Sequence, residues 1–279
     1  MKGYTSLEII DDKYGRFGNQ LFRVGTIIGQ SIVNKVNYYV PNEWKHSHLF
    51  PNLDKESLNF IQLNIDNNFN EPNFGFNPVP APSRITEIRG YFQSWRYFNG
   101  VESEIRSKMQ INPNLVEKVK SKFDDNTIKL CIHVRWGDNW DRSNGGGHKG
   151  VEHLHPVMTL KYYQKAIEYI TSKVKIDEIL VFTDNNDTKE FIEGKFEEYG
   201  IKIIYCDYNI DFIEDFISQY ICNHFIIANS TFSWWSSFLS NNPNKIVCCP
   251  QENEWFGPSY QHLDTSNLLP LDWIRINQN

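Results

Sequence analysis

Four short apolar runs constrain this chain more than anything else in it. They are IKLCIHV (128–134), EILVFT (178–183), IKIIY (201–205) and HFIIA (224–228). Each is too short for a helix core, rich in β-branched and aromatic residues, and apolar on both faces. A strand has that pattern only when both faces of its sheet are covered. Between the runs, apolar residues return every three or four positions. Leu160, Tyr163, Ile167, Ile170 and Val174 form one stripe. Phe191, Phe196 and Tyr199 form a shorter one that stops at Gly200, and DFIEDFISQYI (211–221) forms the third. Strand and helix in alternation predict a parallel sheet with helices on both sides.

The first half repeats the theme less clearly. LEII (7–10) predicts a strand. Leu21, Val24, Ile28 and Ile32 predict a helix, and NYYV (37–40) a second strand, which makes one βαβ unit. Asn64 to Ser83 is rich in Asn and Pro and includes PVPAPS, so it is expected to be an irregular loop. Glu102 to Asp125 is charged and helical and suits a link. The fold class expected is therefore α/β, with two Rossmann-like parallel-sheet halves facing a cleft. The boundary falls near 115–127, giving halves 1–120 and 121–279.

Composition narrows the function. The 279 residues carry a formal net charge of -6 without a basic run, so nucleic acid is not an expected partner. An anionic ligand would have to be held by local groups. No apolar stretch has transmembrane length, which leaves only peripheral membrane contact open. The start, MKGYTSLEIIDD, lacks the apolar region of a signal peptide, so a cytoplasmic location is expected. Cys131, Cys206, Cys222, Cys248 and Cys249 then read as reduced thiols packing as small apolar residues. Neither CxxC nor HExxH occurs, and no metal site is expected.

In such sheets ligands bind at the carboxyl ends of the strands. Three polar clusters fall there in the second half: HVRWGDNWD (133–141), FTDN (182–185) and ANSTFSWW (228–235). Arg135 offers a forked pair of donors to a diphosphate. The amides opening the helix after Ser230, with the Ser230 and Thr231 hydroxyls, suit further phosphate oxygens. Asp184 suits a ribose hydroxyl or a base edge. GxxxxGK[ST] and GxGxxG are both absent, which disfavours a P-loop or a dinucleotide site. What remains is a nucleoside diphosphate as leaving group, as in a sugar-nucleotide transferase.

ANSTFSWWSSFLSNNPNKIV (228–247), GRFGNQLF (15–22), GYFQSWRYF (90–98) and TLKYYQKAIEYI (159–170) resemble segments of the family 11 glycosyltransferases, the α-1,2-fucosyltransferases. The likeness runs from about residue 15 to the WIRI near the end. It implies a GT-B architecture, GDP-fucose as donor, no metal, and transfer with inversion to a hydroxyl of a glycan acceptor. It also implies site residues. His133, Arg135, Asp184, Asn229, Ser230, Thr231, Phe232 and Ser233 would bind the donor. Arg16, Gly18, Asn19 and Gln20 would face the donor sugar or the acceptor. Arg135, Asn19 and Asp138 would be catalytic, with Asp138 the best-placed carboxylate for a base. One of Trp234 and Trp235 would line the guanine pocket, and the other would pack in the core.

One position departs from the family pattern His-x-Arg-Arg-x-Asp. This chain has His133-Val-Arg135-Trp136-Gly-Asp138, with tryptophan in place of the second arginine. That leaves two alternatives open: a transferase of the same fold with another nucleotide sugar, and a degenerate nucleotide- or glycan-binding module. GGGHKGVEHLHP (145–156), with His148, His153 and His155, reads equally as a loop over the cleft and as a solvated surface loop. For KYGRFGNQLF (13–22), the glycines suit a strand-to-helix turn and Asn19 suits a helix cap.

Overall fold

The computed structural model describes residues 1–136, 154–206 and 211–279 in full, and the backbone of 140–141 and 147–148. The chain divides into two compact units. One is Met1–Leu115 with Leu263–Pro270, the other Val116–His262 with Leu271–Asn279.

The first unit holds β1 (Gly3–Thr5), α1 (Phe17–Asn34), β2 (Asn37–Pro41), β3 (Lys55–Glu56), α2 (Leu58–Asn64), β4 (Ile65–Asn70), β5 (Ile85–Arg89) and α3 (Glu102–Lys108), and α4 (Pro113–Lys120) carries the boundary. Its five strands run in the order β3-β2-β1-β5-β4, all parallel. β1 is not LEII but the preceding GYT, and Leu7–Ile9 forms a 3-10 turn instead. Tyr4 is fully buried, and a Cβ on Gly3 would lie 2.6 Å from the Asn37 carbonyl, so glycine lets β1 close on β2. A three-residue strand is too short to show a period, which is why the apolar run beside it misleads.

The stretch from Asn64 to Ser83 is also not wholly irregular. Ile65–Asn70 pairs in parallel with β5, with a register shift between Ile65 and Asn67. The prolines that argue against a ladder begin only at Pro72, so the edge strand ends before them.

The second unit holds β6 (Lys129–Val134), a short antiparallel pair β7 (Trp140–Asp141) and β8 (Gly147–His148), then α5 (Leu160–Thr171), β9 (Glu178–Thr183), α6 (Asn186–Ile192), β10 (Lys202–Tyr205), α7 (Phe212–Tyr220), β11 (His224–Ile226), α8 (Thr231–Leu239), β12 (Val247–Pro250) and β13 (Ile274–Ile276). The helix expected across Phe191 to Tyr199 is instead α6, which ends at Ile192, and a separate 3-10 turn, Glu197–Tyr199, which Gly200 closes at φ +64°. The six-stranded sheet runs β10-β9-β6-β11-β12-β13, all parallel. Counted within this sheet alone the order is third, second, first, fourth, fifth, sixth, the order of a doubly wound nucleotide-binding sheet. β12 and β13, which complete it, are strands the sequence reading does not supply.

Alternation along β6 sorts its side chains. Leu130, Ile132 and Val134 join the core with Tyr162, Tyr163, Ala166, Ile167 and Ile170 of α5. The side chain of His133 meets α8 instead. All five cysteines are buried and free of disulfides.

Candidate active site

In a doubly wound sheet the ligand crevice opens where the strand order reverses, at the carboxyl ends of the two strands on either side of the reversal. In the second unit those strands are β6 and β11. His133 and Arg135 close β6, and Asn229 and Ser230 follow β11, so two of the three polar clusters meet at that point. Arg135 spans it, with Nη1 donating to the Asn229 carbonyl at 3.4 Å. The third cluster joins through Asp184, just past β9, whose Oδ1 accepts from the Trp136 amide at 3.2 Å.

The helix start is built as the sequence predicts. Ser230 is the N-cap of α8, in extended backbone, and its Oγ accepts from the Phe232 amide at 3.3 Å. The first-turn amides carry the positive end of the helix dipole. The Ser230 hydroxyl, as an acceptor here, keeps its own proton as a donor. Thr231 and Phe232 are half-buried, as are Arg135 and Asp184. Phe232 packs edge-on against Phe216 of α7, with centroids 5.2 Å apart.

Two of the expected donor contacts face inward. Ser233 is fully buried, with its Oγ 2.9 Å from His133 Nδ1 and donating to the Ser230 carbonyl at 3.3 Å. The Asn229 Nδ2 group donates to the carbonyls of Pro156 and Trp255, at 2.9 and 3.1 Å. These side chains brace the site. Burial, and then the charge of Arg135, push His133 down to about 3. The ring is therefore neutral at pH 7, and Arg135 supplies the positive charge of the pair. Neither Trp234 nor Trp235 lines a pocket. Both are fully buried and pack on each other and on Phe238. The helix turns both indoles into the core, so the guanine-pocket expectation for one of them is corrected.

Trp136 likewise leaves the site. It is buried in the core beside Phe191, and its Nε1 donates to the Met158 carbonyl at 2.9 Å. Tryptophan thus replaces the second arginine by turning away from the strand ends. Asp138, His148 and His153 lie outside the residues whose side chains are described. His155 packs near Phe256 and Tyr260. Among the described residues, no group of three His, Cys, Asp or Glu side chains is placed to hold a metal ion.

In the first unit the reversal lies between β1 and β5. Arg16, not Asn19, occupies the N-cap position of α1, and it is exposed with no side-chain cap bond. Gly18 and Asn19 lie in the first turn. Gly15 needs its glycine: its φ is +116°, and a Cβ there would sit 2.5 Å from the Asn19 side-chain Nδ2. Asn19 Oδ1 accepts from Gln93 Nε2 at 3.1 Å, just beyond β5. Gln20 is fully buried. Its Nε2 donates to Asp12 Oδ1 at 2.9 Å and to the Gly15 carbonyl at 3.2 Å, and its Oε1 accepts from Trp44 Nε1 at 2.8 Å. It shapes the loop from within, while Arg16 and Asn19 remain the reachable polar groups.

Glu8, Arg23 and Glu71, which hold the turn after β5, are not marked in the sequence. Nothing local marks them, because their partners come from distant segments.

The family model for "Glycosyl transferase family 11" matches residues 12–265. The chain belongs to glycosyl transferase family 11. Its similar relatives include the O-antigen biosynthesis glycosyltransferase WbnK of Escherichia coli, 29% identical over 67% of this chain and 59% of that protein. The match to WbnK thus spans under two thirds of that relative's length. An α-1,2-colitosyltransferase of Escherichia coli is 25% identical over 84% of this chain and 78% of its own length. A galactoside 2-α-L-fucosyltransferase of Caenorhabditis elegans is 25% identical over 84% and 69%. Among solved structures, POFUT1 in complex with GDP-fucose aligns at TM-score 0.55 and 14% identity, over 88% of this chain and 98% of that one. The fucosyltransferase NodZ from Bradyrhizobium aligns at 0.53 and 10%, over 88% and 96%. These likenesses bear out the GT-B-type α/β fold of this family 11 chain.

Proposed function

We propose that this family 11 chain is an inverting glycosyltransferase that carries L-fucose from GDP-fucose to a hydroxyl of a glycan acceptor, without a metal and in the cytoplasm. One observation carries the reading. The reversal of strand order in the second sheet gathers Arg135, the neutral His133, Asp184 and the start of α8 at one point. The fold likeness to POFUT1 holding GDP-fucose supports the donor.

Departure of GDP from the anomeric carbon builds negative charge on the β-phosphate. Arg135 and the first-turn amides of α8 are preset donors for that charge. Ser233 fixes the His133 ring, so it meets the donor as a hydrogen-bonding group without charge. Asp184 holds the Trp136 amide and thereby the course of the chain after Arg135. In the first unit, Asn19 and Arg16 supply contacts to a sugar of the acceptor. Arg135→Ala is expected to lower turnover about 100- to 1000-fold, the usual cost of one such donor. The melting temperature should hold. Wild-type turnover in that variant would end this assignment.

A second reading has its own support. Trp136 removes a cation from the motif, and a relative transfers colitose. The donor would then be another nucleotide sugar. A donor-hydrolysis assay without acceptor, across GDP-fucose, GDP-colitose, GDP-mannose and UDP-sugars, separates the two. It also separates both from a binding module, which would hydrolyse none.

A further inference from the structure

The turn after β5 is built at unusual expense. Gly90 has φ +141°, and a Cβ there would lie 2.4 Å from Glu71 Cβ. Phe92, two residues on, has φ +52°, a left-handed conformation that bulky residues rarely adopt. Both backbone outliers are pinned. Glu71 Oε2 accepts from the Tyr91 amide at 2.7 Å, and the same carboxylate accepts from the Phe92 amide at 3.1 Å. Glu8 Oε2 accepts from the Gly90 amide at 2.9 Å. Arg23, 1% exposed, donates from Nε to the Gly90 carbonyl at 2.6 Å and from Nη2 to the Tyr14 carbonyl at 2.6 Å, and pairs with Glu8 at 3.2 Å. Its Nη1 is buried without a hydrogen-bond partner.

The turn buries Phe92 against Phe69 and Tyr97, but it sets its neighbour outward. Tyr91, between the two outliers, is left 48% exposed. The Arg23 guanidinium stands over one face of its ring, 5.7 Å from the centroid, which leaves the other face to solvent. Tyr14, tied to the same guanidinium through its carbonyl, is 38% exposed, with Lys13 across its ring. Among the described residues the only other large aromatic so exposed is Phe212, in the second unit. Strained backbone of this kind persists where the surroundings over-determine it, and it clusters at ligand sites.

We propose that Tyr91, with Tyr14 held through its carbonyl to the same Arg23 guanidinium, is a carbohydrate-stacking subsite that receives a sugar ring of the acceptor. The inference rests on the transferase reading for the word acceptor, and on the first unit alone for the subsite. The chemistry fits a neutral sugar. A ring face offers an apolar platform to sugar C–H groups, while the tyrosine hydroxyl offers a polar contact at its edge.

Saturation-transfer NMR with millimolar lactose as the probe tests it. The wild-type chain is expected to saturate the sugar's C–H protons. Tyr91→Phe keeps the ring and should retain the effect, whereas Tyr91→Ala should lose it. In transfer assays Tyr91→Ala should raise the acceptor KM about tenfold, with the donor KM and kcat changed less than twofold. Tyr14→Ala should raise the acceptor KM in the same direction. Absence of transfer to lactose in the wild type, equal transfer in Tyr91→Ala and wild type, or a Tyr91→Phe variant as weak as Tyr91→Ala would each overturn the subsite. GDP binding reads the second unit separately. A lactose pattern as expected without GDP binding would remove the transferase reading and leave the subsite standing.

Discussion

His133 shows how burial decides chemistry at a single residue. In the unfolded chain its imidazole titrates near 6.5, but in the fold it is held down to about 3. The unfolded state therefore binds a proton that the native state refuses. Stability from this residue is full above about pH 6.5 and is lost as pH falls toward 3, at no more than about 1.4 kcal/mol per pH unit. Thermal melts between pH 7 and 4.5 should fall more steeply for wild type than for His133→Asn. Asp215 has the opposite sign. Burial, then the neighbouring Glu214, push its carboxyl up to about 7. Its folded value lies above the unfolded one, so its contribution is intact below about pH 4 and lost as pH rises through 7. Asp215→Asn is expected to melt above wild type at pH 8 and to show no gain at pH 4.

Elements fix where such residues point. Ser230 ends β11's loop and opens α8, and its cap bond to Phe232 is worth about 1 kcal/mol. Ser230→Ala should lose roughly that amount in urea unfolding, and on the proposed donor site it should also weaken GDP binding. In the first unit, Gly15→Ala forces a Cβ onto the Asn19 side chain at a φ that disfavours alanine. A loss of about 1–3 kcal/mol is expected, the usual range for strained backbone. The glycine-rich loop 13–22 was legible as a turn into a helix, because Gly15 and the stripe from Leu21 speak for themselves. The cap was not, because Asn19 bonds Gln93 from 74 residues away instead of its own helix start.

For the whole molecule, nucleotide binding is the measurable consequence. A ligand at about 100 times its Kd that binds only the native state adds roughly 2.7 kcal/mol. GDP at that excess should raise the melting temperature clearly, and UDP and ADP should leave it unchanged. A rise with UDP alone would reject guanosine.

The alternation of strands and helices in the second half, the helix start at Ser230 and the three polar clusters are legible in the order of residues alone. These depend on local period and capping, which are written in neighbouring residues. The packed fold sets the rest: β1 is GYT, and Ile65–Asn70 pairs with β5. It alone set the strand order that brings Arg135 to Asn229, turned Trp136 and both indoles of α8 into the core, and gathered Glu8, Arg23 and Glu71 around Tyr91. Pairing and burial are settled by residues far apart in the chain, and a side chain's direction is set by whichever neighbour its strand or helix meets.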